Sequence, residues 1–244
     1  LAYAEVAKSY EYLTPSTNLS NENKLNGTKS LVLNGKNASR LIVSCIKNNE
    51  FHLLLVDPSA EGVSFNSFKT IDEQTCAEFT FENVNVDDED VIASGEEASN
   101  LLVEALNLAT LCVSAEAVGC MLSCYQKTVQ YTKEREQFDQ PISNFQVLQH
   151  RMVDMFIETE LTKSLLIKAT LQLDSDDPES GKTISALKVQ VGKAGRLVGQ
   201  HAVQLHGGMG VSNEMSIGHY LKRFTAIDSM FGNTQHHINK YQAK

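Results

Sequence analysis

The sequence predicts an α+β protein: an all-β module over residues 1–96 followed by an antiparallel helical bundle over residues 97–244. Three observations lead to this. Up to about residue 95, short apolar runs alternate with turn-forming clusters, the spacing of β-strands. Beyond residue 97 the apolar residues recur at helical intervals over long stretches. Between the two lies an acidic stretch, Asp87 to Asp90 with Glu96 and Glu97, read most simply as a solvated connection.

In the first part, the runs Leu31 to Leu33, Leu41 to Ile46 and His52 to Val56 are read as strands. The clusters Leu25-Asn26-Gly27, Asn34-Gly35, Lys47-Asn48-Asn49 and Asp57-Pro58-Ser59 are read as the turns between strands. Ala77 to Glu82 alternates strictly, which puts Phe79 and Phe81 on one face of a strand whose other face is polar.

In the second part, Asn100 to about Lys133 is apolar on more than one face, as expected of a helix buried in a bundle. A second helix is expected to start at Ser143, where Ser143-Asn144-Phe145-Gln146 has the form of a capping box, and to end at about Leu173 before Asp174 to Pro178. A third spans about Lys182 to Leu205 and stops at Gly207-Gly208-Met209-Gly210. A shorter pair follows, around Ser216 to Phe224 and Thr225 to Tyr241. Helices with short connections predict a bundle.

Composition narrows the function. The 244 residues are 42% hydrophobic, enough for a buried core and too apolar for a disordered chain. With 21 Lys and Arg against 30 Asp and Glu, the net charge of −9 argues against a nucleic-acid or anionic-membrane surface. Five cysteines, Cys45, Cys76, Cys112, Cys120 and Cys124, form no CxxC pair or zinc-spaced cluster, so no metal site is expected and a reducing cytoplasm is the simplest compartment. The window Ala105 to Tyr125 approaches membrane length, but Asn107 and Glu116 interrupt it, and a buried helix is the better reading.

Gly192, Gly195 and Gly199 lie inside a helical pattern, not after a strand, and are read as a smooth stripe for close helix contact, not as a dinucleotide fingerprint. The P-loop, zincin and nucleophile-elbow motifs do not occur. Arg135, in Lys133-Glu134-Arg135-Glu136-Gln137-Phe138, either favours a helix terminus or holds a phosphate in a bidentate fork, with Phe138 offering its ring to a flat base. Three glycines among residues 207–210 exceed the needs of one helix cap and leave room for a ligand.

Taken together, these segments resemble the acyl-CoA dehydrogenase family over essentially the whole chain. Leu25-Asn26-Gly27-Thr28-Lys29 with Asn34-Gly35 is similar to the family's middle β-barrel-like domain, and Phe79 to Val86 to the strand leaving it. Tyr131 to Phe138, Pro141-Ile142, Phe145-Gln146, His150 to Met155 and Ala202 to Gly210 are similar to its carboxy-terminal helical domain. The tail from Gly218 to Asn233 resembles bacterial branches that include pimeloyl-CoA dehydrogenase small subunits.

The resemblance implies FAD as cofactor and α,β-dehydrogenation of an acyl-CoA thioester, with an electron-transfer flavoprotein or similar acceptor. It further implies a dimer or tetramer, homomeric or heteromeric. Arg135 would meet the FAD pyrophosphate of a neighbouring subunit, with Phe138 near the adenine and Gln146 as a polar contact. Gln204, Leu205, His206, Gly207 and Gly208 would line the same region, and Asn233 and Gln235 would meet the subunit's own FAD.

The pattern breaks at the catalytic base. Phe231 stands where the family's common glutamate is found, and Ala109 stands at the alternative position on the first long helix. Asp228, one turn before Phe231, is the substitute candidate; Glu104 and Glu116 lie within two turns of Ala109. Ser30-Leu31-Val32-Leu33 replaces the usual aromatic and threonine beside the flavin ring, and Ala4-Glu5-Val6-Ala7 lacks the T-E-P-x-A-G-S pattern. The family's amino-terminal helical domain has no counterpart here, so the sequence is read as part of a longer protein. A catalytically silent subunit that completes the FAD site of an active homologue is the alternative to an independent enzyme.

Overall fold

The computed structural model describes residues 1–243. The chain divides into two compact units, Leu1–Ala105 and Leu106–Lys244. The first is built on β1 (Asn18–Leu19), β2 (Lys24–Leu33), β3 (Leu41–Lys47), β4 (Glu50–Val56), β5 (Val63–Lys69), β6 (Thr75–Asn85) and β7 (Val91–Ser94). These form one sheet in the order β5-β6-β2-β1-β3-β4-β7, with β5 and β7 at its edges. Every pairing is antiparallel except that of β1 with β3.

The β3–β4 hairpin closes through Asn48 and Asn49, both left-handed at φ 52° and 65°. Asparagine tolerates that geometry, so the expected turn is found there. Asn26-Gly27 is a correction: it lies inside β2, at a bulge, not in a turn. A Cβ on Gly27 would sit 2.6 Å from Thr17 Oγ1, and its φ of 144° is outside the range of ordinary side chains. The glycine therefore serves a close strand approach. In β6 the alternation holds through Phe79 and Phe81, both buried with rings stacked 6.4 Å apart, and ends at Asn83 with a φ of 54°.

Three strands of this sheet had no sequence signature, the two-residue β1 among them. The residues of β5 are nearly all exposed, so no buried alternation marked it, although it pairs with β6 along its length. The strand β7 lies inside the acidic stretch read as a solvated connection, between Asp90 and Glu96, and pairs with β4. The sheet's core is formed by Leu25, Leu41, Val43, Leu54, Phe79, Phe81 and Val84. Within it Lys29 Nζ donates to Glu5 Oε1 at 2.8 Å and to Ser44 Oγ at 3.0 Å. The Glu5 carboxylate also accepts from Ser16 N, Thr17 N and Thr17 Oγ1.

The helical part contains α1 (Gly95–Glu134), a small hairpin of β8 (Glu136–Gln137) and β9 (Gln140–Pro141), α2 (Gln146–Asp174), α3 (Ser180–His206), α4 (Ser216–Ser229) and α5 (Thr234–Gln242). Met121 and Cys124 of α1, Met155 of α2, Leu187, Val191 and Val198 of α3 and Phe224 and Ile227 of α4 share one core. By length and composition α1 could cross a membrane, yet it buries Leu111, Val113, Ala117, Val118, Met121 and Cys124 in that core. All five cysteines are free; burial pushes the Cys124 thiol up to about 12, fitting a packing role.

The capping box at Ser143 is not formed. Residues Ile142–Asn144 make a 3₁₀ turn, α2 begins at Gln146, and no side chain caps it; instead Gln149 Nε2 donates to the Ser143 carbonyl at 2.9 Å. The last helix break also moves, from 224/225 to residues 230–233, because Phe224 and Ile227 both belong to the buried face of α4. Asn233 then caps α5, its side chain accepting from His236 N at 2.8 Å. The glycine stripe of α3 is confirmed: an added Cβ would lie 3.3 Å from Phe224 at Gly195 and 2.9 Å from Leu221 at Gly199. At Gly192 it would overlap Thr234 and Asp228 outright.

Candidate functional site

The site is built where α1 and α3 end. One turn before Arg135, the Tyr131 ring stacks on His206 with centroids 4.2 Å apart and planes 21° apart. Stacking of an α1 side chain on the last residue of α3 brings the two helix ends together. His206 is buried, and burial lowers its pKa, so the ring is neutral. Its Nδ1 lies 2.8 Å from the Ala202 carbonyl and must donate to it, which leaves Nε2 as an acceptor.

Arg135 itself is exposed. Its backbone is held, N to the Tyr131 carbonyl at 2.9 Å and O from Ile142 N at 2.8 Å, while its guanidinium has no partner among the described residues. A fixed stem with a free fork suits an anion better than an internal role. In the β8–β9 turn Phe138 and Asp139 are left-handed at φ 55° and 60°. This drives the Phe138 ring outward to 85% exposure, with only an edge contact to Phe145 at 6.0 Å. An aromatic at such a tip has a free face for a planar ligand. Gln146 and Gln204 are exposed, and neither amide has a hydrogen-bond partner among the described residues; Leu205 is buried as a packing residue.

The helix α3 runs through His206, and Gly207–Val211 continue as 3₁₀ turns. Gly207 takes the reversal at φ 61°. Gly210 allows close approach, since a Cβ there would lie 2.7 Å from the Val203 carbonyl. Gly208 serves neither purpose: nothing lies within 4 Å of its would-be Cβ. A guanidinium, an aromatic face, two free amides and an open glycine backbone fit the adenosine-diphosphate part of a dinucleotide.

Asn233 and Gln235 lie elsewhere. Their turn packs on α3 around Lys188 and Gly192, 12 to 16 residues before Gln204, which at 1.5 Å per residue is roughly 18–24 Å away along the helix. Gln235 is exposed and donates to Asn239 Oδ1 at 3.0 Å. The residues expected to meet the cofactor therefore lie in two groups, set apart along α3.

Two of the candidate bases, Asp228 and Glu116, are engaged by other side chains. Asp228 Oδ1 accepts from Thr234 Oγ1 at 2.6 Å and Thr234 N at 3.3 Å, and Oδ2 lies 3.8 Å from an Arg196 guanidinium nitrogen. Glu116 is held by both arms of Arg223, at 2.6 and 2.7 Å. Glu104 sits on an exposed part of α1. Phe231, left-handed at φ 57°, packs against the helical core.

Two residues of this region escaped sequence reading. Lys188 is fully buried, and its Nζ donates to the carbonyls of Asp228 at 3.0 Å and Gly232 at 2.7 Å. Burial, opposed by the charge of Asp228, brings its pKa down to about 8. Nearby His237 Nε2 donates to the Phe231 carbonyl at 3.1 Å, and burial together with the Lys188 charge takes its pKa to about 3. A lysine at position 188, four residues after Ile184 and three before Val191 on a buried stripe, was the available signal.

The profile of the family described as "Acyl-CoA dehydrogenase, C-terminal domain" matches residues 99–243. The chain belongs to the acyl-CoA dehydrogenase family. Membership indicates FAD as the cofactor. A mitochondrial isovaleryl-CoA dehydrogenase of Solanum tuberosum is 27% identical over 209 residues, covering 81% of this chain and 50% of the relative. The butyryl-CoA dehydrogenase structure from Megasphaera elsdenii superposes with a TM-score of 0.90 at 21% identity, covering 98% of this chain and 66% of that one. The ChsE4-ChsE5 complex from Mycobacterium tuberculosis does so at 0.84 and 22%, over 92% and 61%. The chain spans about half the length of the curated family members it matches.

Proposed function

We propose that this chain is a subunit of an FAD-dependent acyl-CoA dehydrogenase, supplying the nucleotide-holding half of a cofactor site that a homologous chain completes. The state of the carboxylates carries this reading. Phe231 and Ala109 occupy the two positions where the resemblance expects a base, and Asp228 and Glu116 are engaged with Thr234 and Arg223. A general base must reach its proton within hydrogen-bonding distance, and these groups are turned to other work.

When bound, FAD supplies the hydride acceptor for α,β-dehydrogenation of an acyl-CoA thioester. In the proposed arrangement the Arg135 fork meets the pyrophosphate, the Phe138 ring covers the adenine, and the amides of Gln146 and Gln204 contact the polar atoms between. Gly207 and Gly208 let their backbone approach. The roughly 18–24 Å between this group and Gln235 along α3 supports assignment of the two groups to different FAD molecules. The exposed apolar residues Val153, Phe156, Ile157, Ile167 and Leu171 recur on one side of α2 and suit contact with another subunit. Electrons would pass on to an electron-transfer flavoprotein or similar acceptor.

The chain purified alone should show no acyl-CoA oxidation with an artificial electron acceptor, and a homologous chain bearing the glutamate should restore it. Turnover by the isolated chain would overturn the silent-subunit reading. In the assembled protein Arg135→Ala should weaken FAD binding by about 1.5–3 kcal/mol, read by titrating FAD into the apoprotein. An unchanged Kd would remove the pyrophosphate assignment.

A further inference from the structure

The turn between α4 and α5 is held from inside the bundle by a group the cofactor reading does not use. Lys188 is 0% exposed, and its ammonium reaches two backbone carbonyls of this turn and no carboxylate oxygen. One of them, of Asp228, is in the last turn of α4, where carbonyls lack intrahelical donors and the helix dipole favours a cation. The other, of Gly232, belongs to the reversal that leads into Asn233. Phe231 and Gly232 are consecutively left-handed at φ 57° and 108°, a conformation unfavourable for phenylalanine that persists only under outside constraint.

The constraints come in sequence. Lys188 grips both ends of the reversal, His237 donates to the Phe231 carbonyl, and the Asp228 carboxylate holds Thr234 across it. The absence of a side chain at Gly192 is what lets Thr234 and Asp228 lie against α3. The immediate products of this geometry are the Asn233 cap and the direction in which Gln235 leaves the first turn of α5.

We propose that Lys188 is a positioning residue for cofactor binding, fixing the Asp228–Asn233 reversal so that Gln235 is presented to FAD. The inference rests on the assignment of Gln235 to FAD made above. An apolar side chain of equal length would fill the same volume, but it would leave two carbonyls unbonded and the left-handed pair held only by His237 and the Asp228–Thr234 contact.

The test is a double-mutant cycle in the assembled protein, with FAD titrated into the apoproteins of the parent, Lys188→Met, Gln235→Ala and the double variant. Lys188→Met is expected to raise the FAD Kd about tenfold, and to have little further effect once Gln235 is alanine, because the lysine acts through that residue. Lys188→Gln, able to donate to one carbonyl, should fall between parent and Lys188→Met. A Kd within twofold of the parent in Lys188→Met, or a full loss that persists in the Gln235→Ala background, would overturn the proposal. If Gln235→Ala alone leaves Kd unchanged, the assignment beneath it has failed instead, and the proposal with it. If neither lysine variant folds, Lys188 is a folding requirement and not a positioning device, and the proposal is likewise overturned.

Discussion

Lys29→Met should destabilise the β-module by about 3–5 kcal/mol, because it removes one member of a buried ion pair and leaves the other charge in place. Lys29 is wholly buried, and Glu5 nearly so, at a separation of 2.8 Å. Burial alone would raise the Glu5 pKa, but the Lys29 hydrogen bond and charge, with the Thr17 and Ser16 bonds, outweigh it and hold the carboxyl at about 2. Without the lysine, only the Thr17 and Ser16 donors remain to the carboxylate. Hydrogen exchange at the amides of β2 and β3 is the suitable measurement, since it reports opening of this module apart from the helices. The companion variant Glu5→Gln with Lys29→Met should recover much of the loss, because no unpaired charge is then buried. Unchanged protection in Lys29→Met would mean that the pair contributes nothing to this module's stability.

The helical unit should lose stability in acid through His237. Its pKa lies near 3 in the folded protein, first through burial and then through the Lys188 charge, against 6.5 for an unperturbed histidine. A base whose folded pKa is lowered is neutral in the native state while the unfolded chain takes up a proton. Its contribution is therefore fully present above pH 6.5 and is lost as pH falls from 6.5 toward 3. The full effect is about 5 kcal/mol, of which about 2.5–3 is gone by pH 4.5. Burial lowers His206 and His236 too, so the trend has the same sign at all three histidines. Glu5 adds its own loss only below 4.5, in the other unit. Urea unfolding followed by helical circular dichroism at several pH values measures this. His237→Gln keeps a donor toward the Phe231 carbonyl without a titrating ring, and should flatten the profile between pH 6.5 and 4.5. An identical slope in that variant would exclude His237 as its source.

The candidate cofactor residues were readable as candidates because their chemistry is local. Arg135 and Phe138 lie in one short segment that a helix terminus or a phosphate would equally explain, and only the glycines at 207–210 exceed what a helix end requires. The structure leaves Phe138 exposed on a left-handed turn and Gly208 with open space about its would-be Cβ. The base could not be settled this way. Asp228 has the right residue type and the right distance from Phe231, but its engagement with Thr234 and Arg196 depends on two elements folding across it.

Pattern reading also misjudged segments whose role is set by a neighbour. Asn26-Gly27 has the composition of a turn, and the approach of Thr17 makes it a bulge inside a strand. Ser143 and Gln146 have the composition of a capping box, and the 3₁₀ turn before α2 separates them. The strand β5 carries no buried period because it is an edge strand whose partner β6 supplies the register.

By itself, then, the sequence determined the α+β class, the long helices and the small-residue stripe of α3. These follow from periodicity and residue type, which act over a few positions. Tertiary structure alone decided that Lys29 and Lys188 are buried, that Asp228 and Glu116 are engaged, and that the candidate cofactor residues fall into two groups along α3. Burial and hydrogen bonding across elements far apart in the chain set those outcomes, and a buried lysine reads in sequence the same as an exposed one.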